Sequence, residues 1–159
     1  MAKYLYVVDL QREFVKDKKG QQVYDKCINY IMSYYKEYTA VLAAVYVNGK
    51  VNLNMSRLVG YEDCTNPKEL EFPASWISKH DGYSVEVYPN LSPYDTVDVI
   101  GFDTDACVLS ACFDLFNIGC NLHILVDGIW SSGGKRMHEA GLTIMKRQFG
   151  KAVDEKFKI

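Results

Sequence analysis

An α/β/α sandwich of three layers around a mostly parallel, Rossmann-like open sheet is predicted by three observations on this 159-residue chain. Short apolar runs alternate along it with segments of helical period. The runs are apolar throughout rather than on every second residue, as in strands covered on both faces. No repeat, low-complexity tract or linker interrupts the alternation, so one domain is expected over residues 1–159.

Residues 4–8 are apolar and β-branched and read as the first strand, ending on Asp9. Residues 11–20 are polar and charged, a loop. Val23, Cys27, Ile31, Tyr34 and Tyr38 then recur at intervals of three or four, one face of a helix over residues 22–38. Residues 41–47 form the second strand, closed by the turn signal Asn48-Gly49. Residues 52–75, with Gly60, Pro67 and Pro73, carry no clean period; irregular stretches of this length tend to be lids or contact surfaces. Residues 76–79 lead into a third strand at 84–87, and 89–94 fit a short helical turn. Residues 97–101 are the fourth strand, followed by a helix from about Ala106 to Ile118 with Gly119 as its stop. Residues 121–126 are a fifth strand ending on Asp127. Gly133-Gly134 opens a last helix with Met137, Gly141, Ile144 and Met145 on one face and Gly150 at its end, and the tail has room for one more short strand.

Net charge is −2 with signs mixed and no basic stripe, which argues against a nucleic-acid partner. No apolar run approaches the ~20 residues of a membrane span, and the N-terminus has no cleavage pattern of a signal peptide. Five cysteines, odd in number and without zinc spacing, suit a reduced, cytoplasmic setting. The twelve tyrosines are scattered, as expected for core edges or a subunit contact.

Residues 96–115 organise the chain: an apolar strand, an acidic turn at 102–105, then a helix with Cys107 in its first turn. Unpaired N–H groups and the positive end of the helix dipole favour a thiolate there and offer donors to an oxyanion. Cys107 therefore reads either as a nucleophile or as a small core residue. Ligands of open sheets bind beyond the carboxyl ends of the strands. Asp9, Asp103, Asp105 and Asp127 are placed at that edge. Asp105 suits a helix cap. Asp9 precedes no helix and suits a general base or a structural role. A cation beside base and thiol would lower both pKa values, and Lys79 is the candidate.

Four segments raise these expectations together. Asp9-Leu-Gln11-Arg-Glu-Phe14, Lys79 with Tyr83-Ser84 after it, Thr104-Asp105-Ala-Cys107-Val108, and Asp127-Gly-Ile-Trp-Ser131 with His138 beyond resemble, in order, the motifs of the isochorismatase-like cysteine hydrolases. The resemblance implies an Asp9–Lys79–Cys107 triad, a non-proline cis peptide between Phe102 and Asp103, and an oxyanion hole from the backbone N–H groups of Asp103 and Cys107. It also implies Gln11 and Phe14 at the substrate pocket, with a core role for Phe14 equally open. Nicotinamidases of the family hold a metal with an Asp-x-His pair after the second strand and a further His. This chain reads Tyr46-Val47-Asn48-Gly49-Lys50 there, so no metal and no cofactor is expected. Isochorismatases proper lack the cysteine, which sets vinyl-ether cleavage aside. Of the three histidines, His80 is expected at the surface or touching the pocket, and His123 and His138 in structural roles.

The leading expectation is thus a hydrolase of a small-molecule amide or carbamoyl C–N bond through a thioester, in a homo-oligomer. Two alternatives stand beside it. One is a non-catalytic binding or assembly module of the same fold. The other is a magnesium-dependent phosphoryl-transfer protein using Asp9, Asp103 and Asp105, although its acidic motif belongs after the first strand.

Overall fold

The computed structural model describes residues 1–61, 64–154 and 156–157. Five strands form one sheet: β1 (Lys3–Val8), β2 (Ala40–Tyr46), β3 (Trp76–His80), β4 (Thr96–Phe102) and β5 (Asn121–Trp130). Their order is β3-β2-β1-β4-β5 and every pairing is parallel. The helices are α1 (Lys18–Tyr34), α2 (Cys107–Ile118) and α3 (Lys135–Phe149). This is the three-layer α/β/α fold expected.

Alternation along β1 builds two cores. Tyr4, Tyr6 and Val8 face one side and join Val108, Cys112 and Leu115 of α2 and Met145 and Phe149 of α3. Leu5 and Val7 face the other and join Val23, Cys27 and Ile31 of α1. Each fully buried side chain of this kind contributes about 1.5–3 kcal/mol of transfer free energy. The chain leaves β1 toward β2 on one side and returns to β4 on the other, so the crevice of the sheet opens between the carboxyl ends of β1 and β4.

Several boundaries differ from the expectation. α1 starts at Lys18, before the apolar period begins, because the Asp17 carboxylate accepts the Gly20 N–H at 2.6 Å and caps it. The third strand is Trp76–His80, not residues 84–87. It lies at the sheet edge and alternates in burial, so it lacks the continuous apolar run of a central strand. Residues 89–94 make turns rather than a helix. β5 continues through Asp127-Gly128 to Trp130, with its register shifting opposite β4 between Val99 and Gly101. The tail forms a 3₁₀ turn, Gly150–Asp154, and adds no strand among the described residues. No helix among the described residues is long and apolar enough to cross a membrane.

Candidate active site

Asp9 is the residue at which β1 ends. Its N–H still reaches the Ala44 carbonyl at 3.0 Å, but its φ is +47°, so the chain turns there and carries the carboxylate over the sheet edge. The side chain is fully buried. One strand further out, β2 and β3 pair Tyr46 with His80, and His80 points inward across the end of β2. Its Nε2 stands 2.6 Å from Asp9 Oδ1, and its Nδ1 donates to the Gly82 carbonyl at 2.7 Å. Cys107 opens α2 directly after the β4 turn. A carboxylate oxygen of Asp9, a ring nitrogen of His80 and Cys107 Sγ all lie within 4.8 Å of one another. The other Asp9 oxygen, Oδ2, is buried and accepts no hydrogen bond among the described residues.

Lys79 does not join them. Successive side chains of a strand leave on opposite faces, so the burial of Ser78 and His80 sends Lys79 to solvent. Lys79 makes no ion pair among the described residues. The side chain of β3 that meets Asp9 is therefore not Lys79 but its neighbour His80, expected above at the surface or touching the pocket.

Burial raises the Asp9 pKa, while His80, Cys107 and the Tyr46 backbone pull it partly back. For His80, burial opposes the charged ring, but the Asp9 hydrogen bond and charge, the Gly82 carbonyl and Asp81 outweigh it, and the net shift is upward. Burial, then Asp9, Asp103 and Asp105, drive the Cys107 thiol up as well. This direction is opposite to the lowering expected at a helix N-terminus, and its causes are the loss of water and three nearby acids.

The turn before Cys107 contains the cis peptide Phe102–Asp103. The N–H groups of Asp103 and Cys107 donate to no protein acceptor among the described residues, whereas Thr104 donates to the Trp130 carbonyl and Ala106 and Val108 to that of Asp103. The Asp103 carboxylate holds the loop after β5, accepting the Ser132 N–H at 2.7 Å, the Ser132 hydroxyl at 2.6 Å and the Tyr61 hydroxyl at 3.2 Å. Asp105 is not the cap of α2, which begins after Ala106 without a side-chain cap; it accepts the Ser131 hydroxyl at 2.6 Å. Thr104 Oγ1 lies 2.7 Å from His138 Nδ1, so His138 anchors the turn from α3. Asp127 lies within β5 and lines a separate hollow with Lys26, Tyr30 and Tyr34.

Gln11 is turned to the backbone of β2. Its Oε1 accepts the Tyr46 N–H at 2.8 Å and its Nε2 donates to the Tyr46 carbonyl at 3.1 Å, so both amide groups tie β1's exit to the end of β2. Phe14 does border the site. It lines the hollow against Cys107 together with Tyr46, Met55, Tyr61 and Tyr83, and meets the rings of Tyr46 and Tyr61 edge to face. That hollow is only ≈ 10 Å³, about one water; a larger one of ≈ 330 Å³ adjoins it, lined by Glu13, Phe14, Tyr46 and Tyr61.

Among the described residues, Asp9, His80 and Cys107 are the one trio close enough to suggest a metal. Ligands at zinc-bond lengths of about 2.0–2.2 Å stand roughly 3.3 Å apart in a tetrahedron, and the 2.6 Å between Asp9 and His80 fits a shared proton instead. The segment where nicotinamidases carry metal ligands does not fit one here. Asn48 Oδ1 accepts the N–H groups of Val51 and Asn52, and its Nδ2 donates to Tyr46 Oη and the Asn52 carbonyl.

Comparison with known proteins bears on the fold. The sequence model of the Isochorismatase domain matches residues 90–156, which hold β4, α2 and Cys107. No curated protein matches the sequence closely. Among solved structures, N-carbamoylsarcosine amidase from Thermoplasma acidophilum aligns with a TM-score of 0.76 at 18% identity, covering 100% of this chain and 99% of that one. Pyrazinamidase/nicotinamidase from Streptococcus mutans aligns at 0.74 and 14%, covering 94% and 98%. The MAR1 ribonuclease from Caenorhabditis elegans aligns at 0.68 and 18%, covering 98% and 77%. The chain has the isochorismatase-like fold. Relatives named for such different substrates mean that the reaction has to be argued from the site.

Proposed function

We propose that this chain is a cysteine-dependent hydrolase of a small-molecule amide or carbamoyl C–N bond. The observation that carries the reading is the meeting of Asp9, His80 and Cys107 at the carboxyl edge of the sheet, where the backbone N–H groups of Asp103 and Cys107 have no acceptor among the described residues. Cys107 rests as a thiol, and Asp9 takes its proton as sulfur attacks the carbonyl carbon, so no free thiolate has to persist. The N–H groups of Asp103 and Cys107 are the donors for the oxyanion; a donor of this kind contributes about 2.7–4 kcal/mol in acyl transfer. The C–N bond breaks as the proton held by Asp9 passes to nitrogen, and ammonia or an amine leaves. Water, losing its proton to Asp9, cleaves the thioester and releases the acid, and the proton returns to sulfur.

Phe14, Tyr46, Tyr61 and Tyr83 form the substrate's surroundings. A homo-oligomer in the cytoplasm is part of the proposal; the five free cysteines suit a reducing compartment, and sedimentation velocity checks the assembly.

Iodoacetamide and an amide library test the reading. Cys107 should alkylate selectively over Cys27, Cys64, Cys112 and Cys120, and Cys107→Ala should abolish turnover while its unfolding midpoint stays near wild type. Uniform slow labelling with no turnover supports the non-catalytic module, and full activity in the alanine variant ends the mechanism.

A further inference from the structure

We infer that His80 is a resident imidazolium in the part expected of Lys79, holding Asp9 in place and in charge for proton transfer from Cys107. The inference rests on the hydrolase reading above and assigns its third member.

The proton count follows from the partners. A carbonyl only accepts, so His80 Nδ1, 2.7 Å from the Gly82 carbonyl, carries a hydrogen. Nε2 and Asp9 Oδ1 are 2.6 Å apart, and two bare acceptors do not approach so closely; a proton lies between them. Ordinary affinities, about 6.5 for imidazole and 3.9 for a carboxyl, place it on the ring. A buried carboxylate without a cation would be costly, and His80 is the one ion-pair partner of Asp9 among the described residues. The groups facing the ring are Asp9 from the end of β1, the Tyr46 ring from β2 at 5.7 Å, Asp81 and the Gly82 carbonyl beyond β3, and Cys107 from α2. The Gly82 carbonyl also lies 3.8 Å from Cys107 Sγ, so one backbone oxygen faces both side chains.

His80 is a positioning residue: it acts on sulfur through Asp9. Neutralising it makes thiolate formation harder, because the cluster then gains a net negative charge in a buried site.

The direct test is nitrogen NMR of histidine-labelled protein at neutral pH, in wild type and in Cys107→Ala. The His80 ring is expected to show both nitrogens protonated; a neutral ring with a bare Nε2 overturns the inference. The second test is the pH profile of Cys107 alkylation by iodoacetamide. In His80→Gln its apparent pKa should rise by about one unit or more, with a matching tenfold or greater loss of rate near pH 7; His80→Lys should bring both back toward wild type. An unchanged profile in the glutamine variant overturns the inference too. The hydrolase reading fails separately: Cys107 that labels no faster than the other cysteines sinks that reading while the histidine spectrum still decides the charge of the ring.

Discussion

Asp103 shows how much one buried acid does here. Burial raises its pKa, the Ser132 contacts and the Tyr61 hydroxyl pull it back, and nearby Asp105 raises it again, leaving it at about 6. A carboxyl whose folded value is raised contributes stability that is present below its ordinary value of about 3.9 and lost as pH climbs through the folded value. Unfolding free energy should therefore fall by roughly 2–3 kcal/mol between about pH 4 and pH 7 on account of this group. In Asp103→Asn that part of the slope should vanish, as urea titrations at the two pH values would show; an identical slope in the variant refutes the assignment. The adjoining pair Lys79 and His80 marks the limit of legibility at this scale. Asp9 and Cys107 were readable because each follows a continuous apolar strand. The inward member of Trp76–His80 was not, since the run is short, mixed and at the sheet edge, and nothing in its composition decides which parity faces in.

Two glycines hold the elements that present the site. At Gly101 in β4, φ is +129° and an added Cβ would lie 1.9 Å from the Val8 carbonyl oxygen of β1. Gly101→Ala should cost about 3 kcal/mol or more, because the methyl meets backbone that cannot give and the dihedral is strained; a loss under 1 kcal/mol in denaturant unfolding contradicts this. At Gly141 in α3, a Cβ would stand 2.8 Å from Thr104 backbone atoms and 2.9 Å from the Asp105 nitrogen. Gly141→Ala should push α3 off the turn that aims Cys107. Its alkylation rate should drop several-fold while the protein stays folded by circular dichroism. The sequence put Gly141 on one face with Met137, Ile144 and Met145, but Met137 and Ile144 are exposed, and the buried face is His138, Gly141, Met145 and Phe149; only the packing shows that Gly141 rests on the turn before Cys107.

For the whole molecule, the decisive feature is closure. The irregular segment after β2 wraps back over the site and is pinned at separate points: the Asn48–Cys64 bridge, Lys68 N–H on Glu13 at 2.9 Å, Glu71 on Arg12 and the Tyr24 hydroxyl, and Tyr61 on Asp103. With ≈ 10 Å³ left against Cys107, the hydrolase proposed above requires these aromatic walls to shift before a substrate can reach the sulfur. Tyr61→Phe, which removes the link to Asp103, should speed alkylation of Cys107 by at least about twofold, equivalent to one modest hydrogen bond partly released; an unchanged or slower rate assigns closure to the other contacts.

The sequence by itself determined the alternation of apolar strands and amphipathic helices, and with it the layered sheet, its carboxyl-edge crevice and the two chain reversals that carry Asp9 and Cys107. These are local properties: period, strand-ending residues and turn chemistry act within a few positions. Tertiary structure alone decided that His80 rather than Lys79 meets Asp9, that Gln11 is tied to Tyr46, and that the Cys107 thiol is pushed up rather than down. Each of those depends on which groups from separate strands share a space without water, and the balance of burial against neighbouring charge exists only once the strands are side by side.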